Sequence, residues 1–287
     1  MTTADSSPER IQIHHRMPLR TRLGRVPLNT LIYGFLILWA AISLFGFGWV
    51  VLTSLKTNQE LFRIKSIWGL PEVPQWENYV RAWTRSKMGN FFLNSVVLSV
   101  ATVLFLNLVG AMAAYILARF RFFANRAVLA AFILGSAIPV QLITVPLYLM
   151  FNSLGVLDNL VALGLVYAAV SLPFTVFVLT GFMRTLPTEL EEAAVLDGAS
   201  EYGVFWRVML PLSMPGLITV TIFNFLGVWN EYLLALMLIN ENEKMTIPLG
   251  LYNLKVVQEY AADWTGLFAG FVLVLLPTII LFIVLQE

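Results

Sequence analysis

The chain alternates between long apolar runs and short polar intervals, and the runs are too long and too uniform for the core helices of a water-soluble domain. Bridging a bilayer takes roughly 20 consecutive apolar residues, and this pattern predicts six such stretches, at about 29–55, 91–118, 127–150, 160–183, 213–239 and 264–286. A polar tail, 1–25, precedes them. Only the fifth carries an ionisable residue in its middle, Glu231. The longest polar interruption after residue 90 is Thr188–Gly216, a charged, helix-prone island between the fourth and fifth runs. Pro187 ends what precedes it. Thr188 and Glu191 have capping-box spacing, and Leu190, Ala193 and Ala194 fall on one helical face with carboxylates around them. Gly198 then interrupts, Ser200 is placed to cap a second short helix, and Pro211 and Pro215 redirect the chain. The expected product is a bent two-helix element.

Composition agrees with lipid as the main solvent. Of 287 residues, 59% are hydrophobic and 12% charged, and the mean hydropathy is +0.79. The fold class expected is an all-α integral membrane protein. A net charge of +1 without a basic stripe gives no reason to expect nucleic acid. No cysteine is present, which excludes disulfides, thiolate metal sites and cysteine nucleophiles. The tail carries Arg10, Arg16, Arg20, Arg22 and Arg25 before an apolar run longer than a signal-peptide core, and so reads as an uncleaved anchor. Arg119, Arg121 and Arg126 stand in the second connection with no acid beside them. Lys and Arg in short loops favour the cytoplasmic side. Six crossings would then place both termini and the Thr188–Gly216 element in the cytoplasm. The Lys56–Lys87 segment falls outside, with Trp68, Trp76 and Trp83 either at headgroup depth or forming a landing surface for a soluble partner.

Chemistry is sparse. No G-x-x-x-x-G-K-[ST] phosphate loop, no metal-binding motif and no Ser/His/acid set occurs, and His14 and His15 both lie in the polar tail. A non-catalytic chain is expected, with no metal and no cofactor of its own. In the fifth run Glu231, Asn230 and Asn224, the last about two turns earlier, mark either a hydrophilic stripe lining a solute path or an interhelical hydrogen-bond cluster. Gly110 and Ala114 form a small-xxx-small pair suited to close helix packing, and Pro139 and Pro146 predict a kinked third crossing.

The order Glu192-Ala193-Ala194, three residues, Gly198, nine residues, Val208, one residue, Leu210-Pro211 resembles the EAA loop of binding-protein-dependent ABC importer permeases, with Val208 where the family has Ile. Phe91-Phe92-Leu93-Asn94-Ser95, Trp229-Asn230-Glu231-Tyr232 and Thr246-Ile247-Pro248-Leu249-Gly250-Leu251 resemble the MalG-like sugar-importer subfamily, so the likeness runs from about Leu31 onward. The family continues past its last span with a short Gly-containing tail, and this chain ends at Glu287. The resemblance implies six transmembrane helices with a cytoplasmic coupling helix between the fourth and fifth, in a prokaryotic inner membrane. Its implied partners are a second, unlike permease subunit, two ATP-binding subunits that carry ATP and Mg, and an extracytoplasmic solute-binding protein. Carried over, Glu192, Ala193, Ala194, Asp197, Gly198 and Pro211 would couple to the ATP-binding subunit, and the solute would be a sugar or oligosaccharide. Two alternatives are another polar solute, such as a glycerol phosphoester, and a self-sufficient secondary carrier. The carrier would need inverted repeats and midplane ion ligands, which the sequence does not display.

Overall fold

The computed structural model describes residues 19–63, 68–84, 87–261 and 263–285. The tail up to residue 18, with Arg10, Arg16 and both histidines, lies outside these, as do Lys65, Arg85 and Gln286, the expected end of the sixth run. Every regular element among the described residues is helical. Two units are distinguished, one ending at Trp49 and the other beginning at Val50. Helix α1 covers Leu19–Ser54. In the first unit Leu31, Phe35, Trp39 and Phe45 are exposed, and Phe35 stacks on Trp39 with ring centroids 6.4 Å apart.

The second unit is built on two long helices, α4 (Met88–Arg119) and α7 (Leu160–Met183), which run side by side in the same direction, from Leu98 beside Gly164 to Gly110 beside Thr175 and Leu117 beside Arg184. Small residues let their backbones approach. A methyl group placed on Gly110 would lie 2.6 Å from Cγ2 of Thr175, and one on Gly164 would lie 3.0 Å from Cδ1 of Leu98. Around this pair come α5 (Asn125–Ser136), α6 (Val140–Leu154), α11 (Met214–Trp229), α12 (Leu233–Leu238), α13 (Ile247–Ala261) and α14 (Trp264–Leu285).

Among the described residues, four helices are long and apolar enough to cross a membrane: α1 over Leu28–Ser54, α4, α7 and α14 over Trp264–Val284. Two bent pairs qualify only when taken together, which gives four to six candidate crossings. The stretch expected as the third crossing is one of these pairs. Helices α5 and α6 meet at 94°, because Pro139 ends the helical register and starts α6 from an extended backbone, φ −63° and ψ 128°. Pro146 is absorbed inside α6. The other bent pair joins Glu201–Leu212 to α11 at 71°.

The Lys56–Lys87 segment folds back onto protein. Thr57 caps the short helix α2 (Asn58–Leu61) in a complete capping box with Glu60, and α3 spans Glu77–Thr84. The Asn78 side-chain amide donates to the carbonyls of Ser54 and Lys56, at 2.7 and 2.9 Å. Arg81 reaches Asp263 at 3.4 Å, and the Trp83 ring lies 5.6 Å from that of Phe92. Trp68 and Trp76 stay exposed. Glu60 is 4% exposed, yet it accepts from the amides of Thr57 and Glu72 at 2.7 and 2.8 Å. The Thr57 amide is the main influence holding its carboxyl below the ordinary glutamate range, against the opposing effect of burial.

Three outcomes follow. Gly110→Val overpacks the α4–α7 contact and lowers detergent-phase thermal stability by about 1–3 kcal/mol. Gly181→Ala on α7, where nothing lies within 4 Å of the added carbon, leaves stability unchanged or slightly raised. A depressed carboxylate pKa stabilises the fold above its unfolded value and is lost as pH falls through the folded one. The stability gap between wild type and Glu60→Gln is therefore full at neutral pH and closes only below about pH 4.3. Melting curves at stepped pH measure it.

Candidate functional site

Two polar assemblies stand out, one at each end of the α4–α7 pair. The first is the Thr188–Gly216 element. Helix α8 covers Glu189–Leu196. Thr188 has helical torsions, φ −74° and ψ −24°, and its side chain makes no cap bond. Only its carbonyl takes part, accepting from the amides of Glu191 and Glu192 at 3.0 and 3.1 Å. The expected Thr188–Glu191 box is absent because the Glu191 carboxylate is taken by the Arg119 guanidinium at the end of α4. A buried bond between two opposite charges outweighs the bond the same carboxylate could make to one cap amide, and the two side chains are only 10% and 14% exposed.

Arg119 does more than pair. It donates to the Leu186 carbonyl at 2.9 Å and approaches Sδ of Met209 at 3.9 Å. One guanidinium thus joins the linker after α7, helix α8 and the segment leading to α11. Arg184 adds a second tie, donating to the Leu117 carbonyl at 3.1 Å. Beneath them Tyr115 lies against Phe205, ring centroids 5.3 Å apart, in a core with Ala111, Ala114, Leu179, Met183, Met209 and Val220.

The turn after α8 depends on Gly198. Its φ of +84° is left-handed. The Gly198 amide donates to the Val195 carbonyl and the Ala199 amide to the Ala194 carbonyl, both at 2.9 Å, which is the Schellman pattern of helix closure. Ser200 then caps α9 (Glu201–Val204), accepting from the Gly203 amide at 3.2 Å. A π-helical turn, Phe205–Met209, leads into α10 (Leu210–Leu212). It widens the backbone where Pro211 arrives, whose ring in an α register would meet the carbonyl four residues back. The 71° bend follows at Ser213.

The expected apolar face of α8 is only partly inward. Ala194 packs on the core, while Leu190 and Ala193 are exposed, with Glu192, Asp197 and Gly198 beside them. Leu196 is 88% exposed. The outer surface is a small-residue ridge set with carboxylates, with Leu190, Val195 and above all Leu196 exposed on it.

At the other end, the stretch expected as one crossing over 213–239 is broken. Helix α11 ends at Trp229 and α12 starts at Leu233. Glu231 sits in the break and is fully engaged. It accepts from the Tyr167 hydroxyl at 2.7 Å and from the Leu234 and Ala235 amides at 2.8 and 3.3 Å. The carboxylate thereby satisfies the first amides of α12, where a negative charge is favoured. Asn224 is buried and donates to Oγ1 of Thr175 at 2.8 Å. Asn230 is exposed and donates to the Leu226 carbonyl. A further tie between α4 and α11 runs from Asn107 to Thr221 at 2.7 Å. The sequence alone did not single out Tyr167, Thr175, Asn107 or Arg119's bridging role, because each needs a partner from a distant helix.

Three sequence-distant motifs meet here. Asn94 donates to the carbonyls of Glu243 and Met245 at 2.8 and 3.0 Å, and Ser95 accepts from the Ile247 amide at 2.8 Å. The Phe91 ring lies where a Cβ on Gly250 would be, 2.2 Å from its nearest atom. Phe92 meets Trp229 edge-on at 6.0 Å. Asp158, at φ +58°, accepts from the Glu241 amide at 2.7 Å and pins the same loop.

Comparisons with known proteins extend this geometry. Residues 107–287 match the family model described as "Binding-protein-dependent transport system inner membrane component". The chain is 39% identical over 255 residues to the diacetylchitobiose uptake system permease protein NgcG of Streptomyces coelicolor, covering 89% of this chain and 84% of that one. It is 33% identical over 245 residues to the sulfoquinovosyl glycerol transport system permease protein SmoH of Agrobacterium fabrum, covering 85% of each. In fold it is similar to a chain from the crystal structure of a bacterial ABC transporter involved in the import of the acidic polysaccharide alginate. That match has a TM-score of 0.77 at 22% identity and covers 93% of this chain and 97% of the other. The family match takes in the C-terminal part of α4, all of α7 and α11 and the Thr188–Gly216 element, and the chain belongs to the family of inner-membrane components of binding-protein-dependent transport systems.

Proposed function

We propose that this chain is the permease subunit of an ATP-driven importer of a sugar or oligosaccharide, and that α8 is its coupling helix. The chain forms half of the translocation pathway beside a second, unlike permease. Two ATP-binding subunits carry ATP and Mg, and an extracytoplasmic solute-binding protein delivers the solute. Both termini and the Thr188–Gly216 element lie in the cytoplasm. The sugar class rests on the relatives that transport diacetylchitobiose and a sulfoquinovosyl glycerol.

The observation that carries the coupling role is the contrast between the two faces of α8. Its inner face is fastened by Glu191 and Ala194 to the ends of α4 and α7, while Glu192, Ala193, Leu196 and Asp197 project outward. Small residues let a second surface come close, and Glu192 offers a charge-assisted bond to a basic group on it. Movement imposed on the outer face reaches α4 through Arg119 and α11 through the π-turn and the Ser213 bend. Taking an inward to outward preference from 1:99 to 99:1 requires about 5.5 kcal/mol of differential binding, which closure of the ATP-binding subunits supplies. Asn224, Asn230 and Glu231 stand near the path in this reading, with Asn224 and Glu231 bracing its walls.

Two measurements on the reconstituted complex test this. Glu192→Lys and Gly198→Val leave membrane insertion intact and reduce solute-stimulated ATP turnover at least tenfold; normal turnover in assembled variants removes the coupling role. Arg119→Glu alone depresses stimulated turnover similarly, and the charge-swapped pair Arg119→Glu with Glu191→Arg restores part of it. Absence of any rescue assigns Arg119 to packing rather than to transmission.

A further inference from the structure

Beside the Arg119 junction a groove of about 890 Å³ opens between the end of α4, the connection that follows it, α5 and the end of α7. Arg121, Arg126 and Arg184 stand on its lining, and no aspartate or glutamate does. Leu117, Leu129 and Ile133 form its apolar floor. The backbone at the floor is already satisfied. Arg184 occupies the Leu117 carbonyl, and the Asn125 amide donates to the Phe120 carbonyl at 2.8 Å. What the groove offers a ligand is therefore positive charge at the rim and apolar surface beneath. Phe122 and Phe123 project next to the arginines, and the Phe123 ring is fully exposed.

We infer that this groove binds one anionic phospholipid, with the headgroup phosphate on Arg121, Arg126 and Arg184 and an acyl chain along Leu117, Leu129 and Ile133. Guanidinium forks match phosphate oxygens in pairs, and basic recesses between transmembrane helices at the cytoplasmic surface suit acidic headgroups. Exposed phenylalanine rings beside such a recess suit the boundary between headgroups and acyl chains, where apolar side chains of interfacial segments are buried. A free phosphate would use the arginines and leave the apolar floor wet, and an acidic protein surface would need no such floor. The charge and the floor together select an amphiphile. This site goes beyond the coupling role, since none of its arginines lies on α8. It rests on the proposed orientation, which sets these ends of α4 and α7 at the cytoplasmic surface.

The assembled complex, purified in mild detergent, is exposed to phosphatidylglycerol or phosphatidylcholine, and retained lipid is counted by native mass spectrometry. Phosphatidylglycerol stays bound and phosphatidylcholine does not. Arg121→Gln with Arg126→Gln, which spares the Arg184–Leu117 bond, lowers retention by about fivefold per arginine, since each basic residue near a lipid surface contributes about that factor. Ala130→Trp keeps all three charges but fills the apolar part of the groove, and it lowers retention too. Excess inorganic phosphate does not displace the lipid. Equal retention of both lipids, or of either variant and wild type, overturns the proposal. Displacement by inorganic phosphate reassigns the arginines to a soluble anion. Unchanged lipid retention with loss of the ATP-binding subunits from the double variant reassigns them to an acidic protein surface. Should the double variant fail to assemble, the headgroup comparison on wild type and the Ala130→Trp result decide the matter.

Discussion

Where α4 runs out, a single arginine has no water to turn to and three chain segments within reach. Arg119 is nearly buried, so its charge must be met by protein, and the carboxylate of Glu191, the Leu186 carbonyl and Met209 meet it. Leaving one partner of such a pair alone in a buried setting costs several kcal/mol, so the contacts form together or not at all. The position of α8 relative to the long helices follows from that requirement. The linker after α7, the π-turn and the approach to α11 are all set around one guanidinium.

The same economy governs the polar groups deeper in the helices. In hydrocarbon a side-chain amide or hydroxyl finds only other protein groups, and helix association uses such bonds in place of a hydrophobic drive. Thr175 stands opposite the Gly110 gap and receives Asn224, tying α4, α7 and α11 at one level. Glu231, the carboxylate in the middle of the fifth apolar run, satisfies a broken helix rather than standing free. The chain ends its helix at Trp229, and the acid supplies what the restarted helix lacks.

The apolar runs were legible because span length and composition report directly on lipid. So was the Thr188–Gly216 island, whose charge and turn residues contrast with everything around it. Local rules erred where a distant group competed. Thr188 and Glu191 have the right spacing for a capping box, and on a free helix they would form one; Arg119, far away in sequence, takes the acid instead. Periodicity puts Leu190, Ala193 and Ala194 on one face, but a short helix held through Glu191 and Ala194 turns only one edge of that face inward. Pro139 announces a kink in the third run without giving its angle, and the polar Asn230–Tyr232 triplet is too short an interruption of an apolar run for length and composition to read it as the end of a helix. The three motifs that meet around Phe91, Asn94, Trp229 and Ile247 were readable one at a time; their contact is a property of the fold alone.

Gly198 closes α8 by a backbone torsion that an ordinary side chain resists, and nothing lies near the place a β-carbon would take. The curvature of the element is therefore held by one dihedral angle and two amide bonds, with no help from the exposed surface. That surface is released from any duty to the fold. Its side chains can be exchanged to suit a new counterpart without altering how it is presented, so recognition and shape can change independently of each other.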